Sequence, residues 1–339
     1  MGILLGRPSQ LRQIGGGGTY AAIGARIWLP ALAIGQIIDR GTDFPLVVQK
    51  ELDHYGVEMW HFRDQPHNQT TKAVNRYTGE LREYASCFEY LTPRIRITPK
   101  DLFDTPLESP RQIHFVCSPT RASQILHDAH MYGVNDWTPF TIYEPIPFRC
   151  VPEELPALKQ VLGQINILSP NAEEALGLLS VDKAGIEDPS VIERAAAQFL
   201  SFGVGRGGSG YVIIRCGAMG AYGATLATGE VEGWWMPAYW TQGDESAVVD
   251  VTGAGNAFLG GLSAGLCLTN GDVRKATLYA TVSAGYTIQQ LGLPRVEYRQ
   301  SNSADLVEFW NGDRPRDRLE LLERRCAQAS KWLGILRCQ

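Results

Sequence analysis

No stretch of eighteen consecutive apolar residues occurs in the chain, so nothing in it reads as a membrane span. Lys and Arg never gather into a run and the formal net charge is −5, which argues against nucleic acid or an anionic membrane as a main partner. The seven cysteines (Cys87, Cys117, Cys150, Cys216, Cys267, Cys326 and Cys338) are odd in number, scattered and never spaced as CxxC. That argues against a disulfide framework and a zinc site alike; reduced thiols in a cytoplasmic protein are expected. The opening MGILLGRPSQ holds too short an apolar stretch for a secretory leader, and Gly6 stands where a myristoylation signal needs Ser or Thr. None of the six histidines falls in an HExxH pattern, no metal site is expected, and no GxxxxGK[ST] phosphate loop is present.

What is present suits one large α/β domain spanning 1–339: 339 residues, 44% hydrophobic and 20% charged. Four glycines at 15–18 lead through Thr19 and Tyr20 into a small-residue helix ending near Arg26. Residues 33–38 read as a buried strand, 39–44 as a turn and 45–55 as a helix. Residues 57–91 differ. Three short strands (59–62, 70–77 and 83–90) and a turn at Thr78-Gly79-Glu80 predict an antiparallel flap inserted in the α/β body. Parallel strands are then expected at 113–117, 140–143, 165–168 and 211–215, with helices between them. Asp188-Pro189 marks the start of one helix, in which Ile192, Ala196 and Phe199 recur at helical spacing. Gly203–Gly208 matches GxGxxG but follows a helix and precedes a strand, the wrong order for a dinucleotide site, and reads as a loop. Residues 301–339 are charged and helical in pattern.

The strongest chemical signal lies at 248–261. An apolar strand, Val248–Val251, is expected to run through Thr252-Gly253-Ala254-Gly255-Asn256 into a small-residue helix. Glycines let the backbone approach a ligand, and the N–H groups of a helix start converge on one spot where the dipole favours negative charge. The plainer reading is a tight turn with no ligand. Just upstream, Trp234, Trp235, Tyr239 and Trp240 form an aromatic cluster, read either as packing in a half-buried strand or as a wall for a flat apolar ligand.

Together these pieces resemble the PfkB/ribokinase family of carbohydrate kinases over about residues 14–295, and within it a fungal branch of poorly defined role. The 250–256 segment resembles the family's D-T-x-G-A-G-D signature, Gly15–Tyr20 its N-terminal glycine signature, Gly35–Asp43 its G-x-x-G-x-D segment, Asn171–Glu174 its N-x-x-E motif and Arg215–Gly220 its T-L-G-x-x-G stretch. The resemblance implies a ribokinase-like α/β fold, a central mostly parallel sheet flanked by helices, with a small antiparallel β-lid at 57–91. It implies Gly16, Gly17, Thr19, Tyr20, Gly41 and Asp43 beside the substrate, and Asn171, Glu174, Arg215, Gly217 and Gly220 near the nucleotide or an anion. It also implies that the N–H groups of Gly253, Ala254 and Gly255 hold the transferring phosphoryl group, that ATP and Mg²⁺ are cofactors, and that a homodimer forms through the lid. Read without the family, Asn171 with Glu174 is a helix capping box.

The departures matter more. Where the family has the Asp that accepts the substrate's proton, Asn256 stands, and an amide is not a base at neutral pH. Losing a general base typically costs roughly a hundred- to ten-thousand-fold in rate. Only fourteen residues precede Gly15, too few for the family's first core strand and its sugar-gripping Asp. Tyr20 replaces the usual Asn, and Arg215 the usual Thr. These point to a repurposed enzyme acting on a small, apolar natural-product intermediate of fungal secondary metabolism, by cyclisation or isomerisation (a cycloaddition is one example), with Asn256 or the Gly253–Gly255 N–H groups as donors to a carbonyl and no cofactor. The alternatives are an ATP/Mg²⁺ small-molecule kinase and a non-catalytic pseudokinase that binds a small molecule.

Overall fold

The computed structural model describes residues 13–78, 84–133, 137–241, 243–300 and 306–336. The expectations about the N-terminal residues 1–12 and the tip of the 78–80 turn lie outside the described residues. Helix α1 (Gly17–Arg26) is followed by strand β1 (Gln36–Gly41), helix α2 (Leu46–Asp53) and strand β2 (Trp60–Gln65). These last three form a βαβ unit: β1 and β2 pair in parallel, from Gln36 opposite Trp60 to Gly41 opposite Gln65. The strand expected at 33–38 is thus displaced towards the C-terminus and only half-buried. The expected three-strand flap is also corrected. Parallel strands need a crossover, and α2 supplies it, so β2 leaves the flap for β1. Only β3 (Ala73–Thr78) and β4 (Tyr84–Tyr90) form the antiparallel ribbon.

The main sheet follows. Strand β5 (Gln112–Cys117), helix α3 (Pro119–Tyr132), strand β6 (Phe140–Pro145), helices α4 (Leu155–Val161) and, after the short strand β7 (Ile167–Leu168), α5 (Ala172–Leu178) and α6 (Pro189–Ser201) lead to β8 (Tyr211–Arg215). Strands β9 (Ala221–Ala227) and β10 (Glu230–Met236) return antiparallel. The order is β10-β9-β8-β7-β6-β5, with β5 to β8 parallel. Helices α7 (Ala254–Leu268) and α8 (Val273–Thr287), the ribbon β11 (Val296–Gln300)–β12 (Leu306–Trp310) and helix α9 (Pro315–Leu336) complete the chain. No described helix is long and apolar enough to cross a membrane.

Strand alternation sorts the core into two layers. Tyr143, Leu168, Val212 and Ile214 face α3 to α6, while Ile142, Ile167 and Ile213 face α7 and α8. As expected from its pattern, α6 starts at the Asp188 cap and buries Ile192, Ala196 and Phe199. A third cluster wraps α1 with Tyr55, Tyr286 and Trp310. Arg26 fastens α1 to β12 by pairing with Glu308 and donating to the Tyr55 carbonyl at 2.6 Å.

The apolar stretch 248–251 is not a strand. It bends at Val249, and the N–H groups of Val249 and Asp250 both donate to the Ile288 carbonyl at the end of α8, at 2.7 and 3.1 Å. Nor do the aromatics form one wall. Period-2 alternation sends Trp234 to Thr277 on α8 and Trp235 to Glu193 on α6, while Tyr239 and Trp240 pack around Arg318.

Candidate functional site

The same alternation that splits the core builds a polar cluster at the carboxyl ends of the parallel strands, where open α/β sheets place their ligand sites. On β6, Ile142 faces α7, so Glu144 two residues on faces it too. On β8, Ile213 places Arg215 on that side, and on β5 His114 lies opposite Ile142 in register. Glu144 and Arg215 meet the start of α7, and His114 stands beside Glu144.

That start is built from glycines with separate jobs. Gly253 caps α7 at φ +79°, and a Cβ there would also lie 2.3 Å from the Tyr20 ring. A Cβ on Gly255 would lie 2.0 Å from Arg215 Nη1, so the guanidinium rests directly on the helix's first turn. Asp250 accepts from the Thr252 N–H at 3.0 Å and from its hydroxyl at 2.7 Å, which shapes the approach to the turn. No side chain caps the first turn of α7, nor that of α1, which begins beside it: a Cβ on Gly17 would stand 3.1 Å from Asn256 Nδ2. Two uncapped helix starts therefore converge on Asn256.

Asn256 is held. Its Nδ2 donates to Glu144 Oε2 at 2.8 Å, and Arg215 Nη2 donates to Glu144 Oε1 at 2.7 Å, to the Ser169 carbonyl at 3.1 Å and to Glu174 Oε2 at 3.4 Å. His114 Nε2 stands 3.4 Å from Glu144 Oε2, within ion-pair reach but making no hydrogen bond. Glu144, which can only accept, takes one of the two N–H donors of the Asn256 amide; the second N–H and Oδ1 are the groups a substrate would meet. Burial disfavours the charge on Glu144, but Arg215 and His114 outweigh it and keep the carboxyl below its ordinary range.

Asn171 and Glu174 form the expected capping box of α5: the Asn171 N–H and Nδ2 donate to Glu174 at 2.7 and 2.8 Å, and the Glu174 N–H donates back to Asn171 Oδ1 at 2.8 Å. Burial pushes Glu174 up to about 7, against the pull of Arg215 and with a further push from Glu144. The folded state thus binds this proton more tightly than the unfolded chain. Stability is expected to be greatest below the ordinary carboxyl value of 4.5 and to be lost as pH rises through about 7. Glu174→Gln removes the proton linkage, so urea midpoints measured from pH 4.5 to 7.5 should fall with pH in the parent and less steeply in the variant.

The remaining expected residues separate. Thr19 and Tyr20 are buried in α1, Tyr20 with its ring on Gly253. Gly16 caps α1, and its carbonyl accepts from the Tyr20 N–H at 3.1 Å. Gly41 sits against the backbone of Thr70, and Asp43 accepts from the Thr70 N–H at 2.7 Å and pairs with Lys72, which lowers its carboxyl to about 2. These two tie the β1 turn to the ribbon rather than meeting Asn256. Gly217 and Gly220, both at positive φ, form the turn from β8 to β9 just beyond Arg215. Glu144 and His114 are the members that sequence reasoning passed over. The available signal was a lone charged residue near the end of the otherwise apolar strand Phe140–Pro145.

Comparison with known proteins places this arrangement. The family described as pfkB family carbohydrate kinase matches residues 144–295. An uncharacterized protein of Schizosaccharomyces pombe is 33% identical over 323 residues, 91% of this chain and 85% of that protein. Protein MAK32 of Saccharomyces cerevisiae is 32% identical over 322 residues, 90% of this chain and 84% of that protein. Among solved structures, ribokinase from Giardia lamblia superposes with a TM-score of 0.64 at 16% identity, covering 94% of this chain and 93% of that one. The last likeness bears on fold alone, and agrees with a mostly parallel sheet between helical layers.

Proposed function

The chain belongs to the pfkB family of carbohydrate kinases, and from that premise we propose that it acts on a small hydrogen-bonding molecule between the starts of α1 and α7 without transferring phosphate. The observation that carries this reading is the 2.8 Å hydrogen bond from Asn256 Nδ2 to Glu144 Oε2. The side chain at the proton-accepting position is not a base, and it is tied into a buried ion-pair cluster instead of being free to follow a reacting hydroxyl. Its Oδ1 is left as an acceptor, suited to a ligand hydroxyl or N–H.

The carboxylates nearby are not turned to ligate a divalent cation directly. The oxygens of Glu144 and Glu174 are turned to Arg215, Asn256 and Asn171, and the described residues contain no group of three His, Cys, Asp or Glu side chains that could hold a metal. The proposed reaction needs neither ATP nor Mg²⁺. A rearrangement within one bound molecule, cyclisation or isomerisation, fits best, because positioning and fixed dipoles supply its catalysis. The buried Tyr20 and the divided aromatic cluster support a polar ligand over a flat apolar one.

A second reading, phosphoryl transfer to an unusually acidic hydroxyl, draws on the uncapped first turn at Gly253–Asn256, which is suited to an anion. One screen separates the two. Purified protein is incubated with ATP, Mg²⁺ and a panel of sugars and nucleosides while ADP is followed. No acceptor-dependent ADP is expected, and ADP formation that depends on one acceptor would overturn the proposal. Candidate ligands incubated without ATP then divide enzyme from binding module: equal conversion with and without protein leaves binding as the only role.

A further inference from the structure

We infer that Glu144 is a positioning residue that decides what position 256 can be: it grips Asn256 through the amide N–H and excludes a carboxylate there. This deepens the non-phosphorylating reading by assigning the loss of the base to two matched residues instead of one.

A charge buried in an apolar strand is tolerated only with partners. Glu144 has 8% of its side chain exposed, and its Oε1 is taken by Arg215, so Oε2 needs a donor of its own. Asn256 supplies it. Aspartate at the same place would set a second carboxylate oxygen against Oε2 across the 2.8 Å now spanned by the hydrogen bond. Two carboxylates that close share one proton.

The uncapped starts of α1 and α7 favour negative charge here but bring no full countercharge and no donor between the two carboxylates. The charged or titratable groups facing the pair are His114 from β5, Arg215 from β8 and Glu174 from α5. From α1 the neighbour is Gly17, which brings no charge. Arg215 is the one permanent cation of the cluster, and Glu144 and Glu174 already divide it. Restoring an aspartate at position 256 alone therefore yields a protonated or displaced side chain and no working base. Glutamine at position 144 reverses this: it removes the competing charge and can donate to a carboxylate at position 256.

The test uses the full chain in four forms, parent, Asn256→Asp, Glu144→Gln and the double variant, with thermal unfolding at pH 5.5 and pH 8. Asn256→Asp is expected to lower Tm by about 5 °C or more at pH 8, and by less than half as much at pH 5.5, where the shared proton is easily held. The double variant is expected to recover most of that loss. A loss equal at both pH values, or a double variant whose loss is the sum of the two single losses, would overturn the inference. If Asn256→Asp does not accumulate folded, recovery of folded double variant is the supporting outcome, and failure of the double while Glu144→Gln folds is the overturning one. No substrate or nucleotide enters this assay, so the inference and the functional reading fail separately.

Discussion

Replacing Arg215 by alanine is expected to cost about 3–5 kcal/mol of folding stability at pH 8, with a clearly smaller loss near pH 5. Arg215 has 11% of its side chain exposed, and its partners Glu144 and Glu174 have 8% and 4%. The alanine variant leaves two carboxylates buried together with no permanent cation. Each must then hold a proton above its ordinary range or draw water into the sheet end. Both responses are easier in acid, which fixes the sign of the pH dependence. Glu174 already sits near 7 with Arg215 present, so without it the pair rises further. Arg215→Lys should recover part of the loss only, because the lysine side chain is one bond shorter than the reach to Nη2, which makes all three contacts, and it lacks the Nη1 that rests on the first turn of α7. Urea unfolding at the two pH values measures both. A loss below about 1 kcal/mol at pH 8 would mean that the cluster is hydrated and that Arg215 is not its keystone.

The contrast between Glu144 and Asn256 shows how far the sequence can be read. Asn256 was legible because it interrupts a motif whose neighbours stand in order along the chain. Glu144 is 112 residues away, and only the register of β6 and the packing of α7 bring the two side chains together. Local signals carried the fold similarly well: the parallel strands, the Asp188 helix start and the Asn171–Glu174 capping box all appear where spacing placed them. Expectations failed where partner choice decided. Strand β2 has the composition of a ribbon strand but is claimed by β1 through the α2 crossover. Residues 248–251 have the apolar run of a strand but find no strand beside them, only the Ile288 carbonyl. The Trp cluster reads as one feature along the chain, and alternation distributes it over two layers.

Gly260→Ala is expected to destabilise the protein by about 3 kcal/mol, opposite in sign to the gain of up to about 1 kcal/mol that the same change brings to an unconstrained helix. Its Cβ would lie 1.8 Å from the Ala21 carbonyl oxygen, with the Ala21 carbonyl carbon at 2.7 Å and Cα at 3.0 Å, so every nearest atom belongs to the backbone of α1. No rotamer change relieves such a clash; α1 and α7 must separate. A Cβ on Gly24 would likewise lie 2.2 Å from the Ala257 carbonyl oxygen, so the same seam is closed from both helices. Gly261 and Gly265 on another face of α7 meet Ser283 and Ala276 of α8, so the helix has little freedom to retreat. The small-residue run after Gly253 is thus a packing requirement on two sides, and the same seam sets Gly17 against Asn256. Gly163→Ala is the matched control, since nothing lies within 4 Å of its Cβ. Its urea midpoint should stay at or slightly above the parent's, and an equally neutral Gly260→Ala would show that α1 is not held against α7 as tightly as this packing requires.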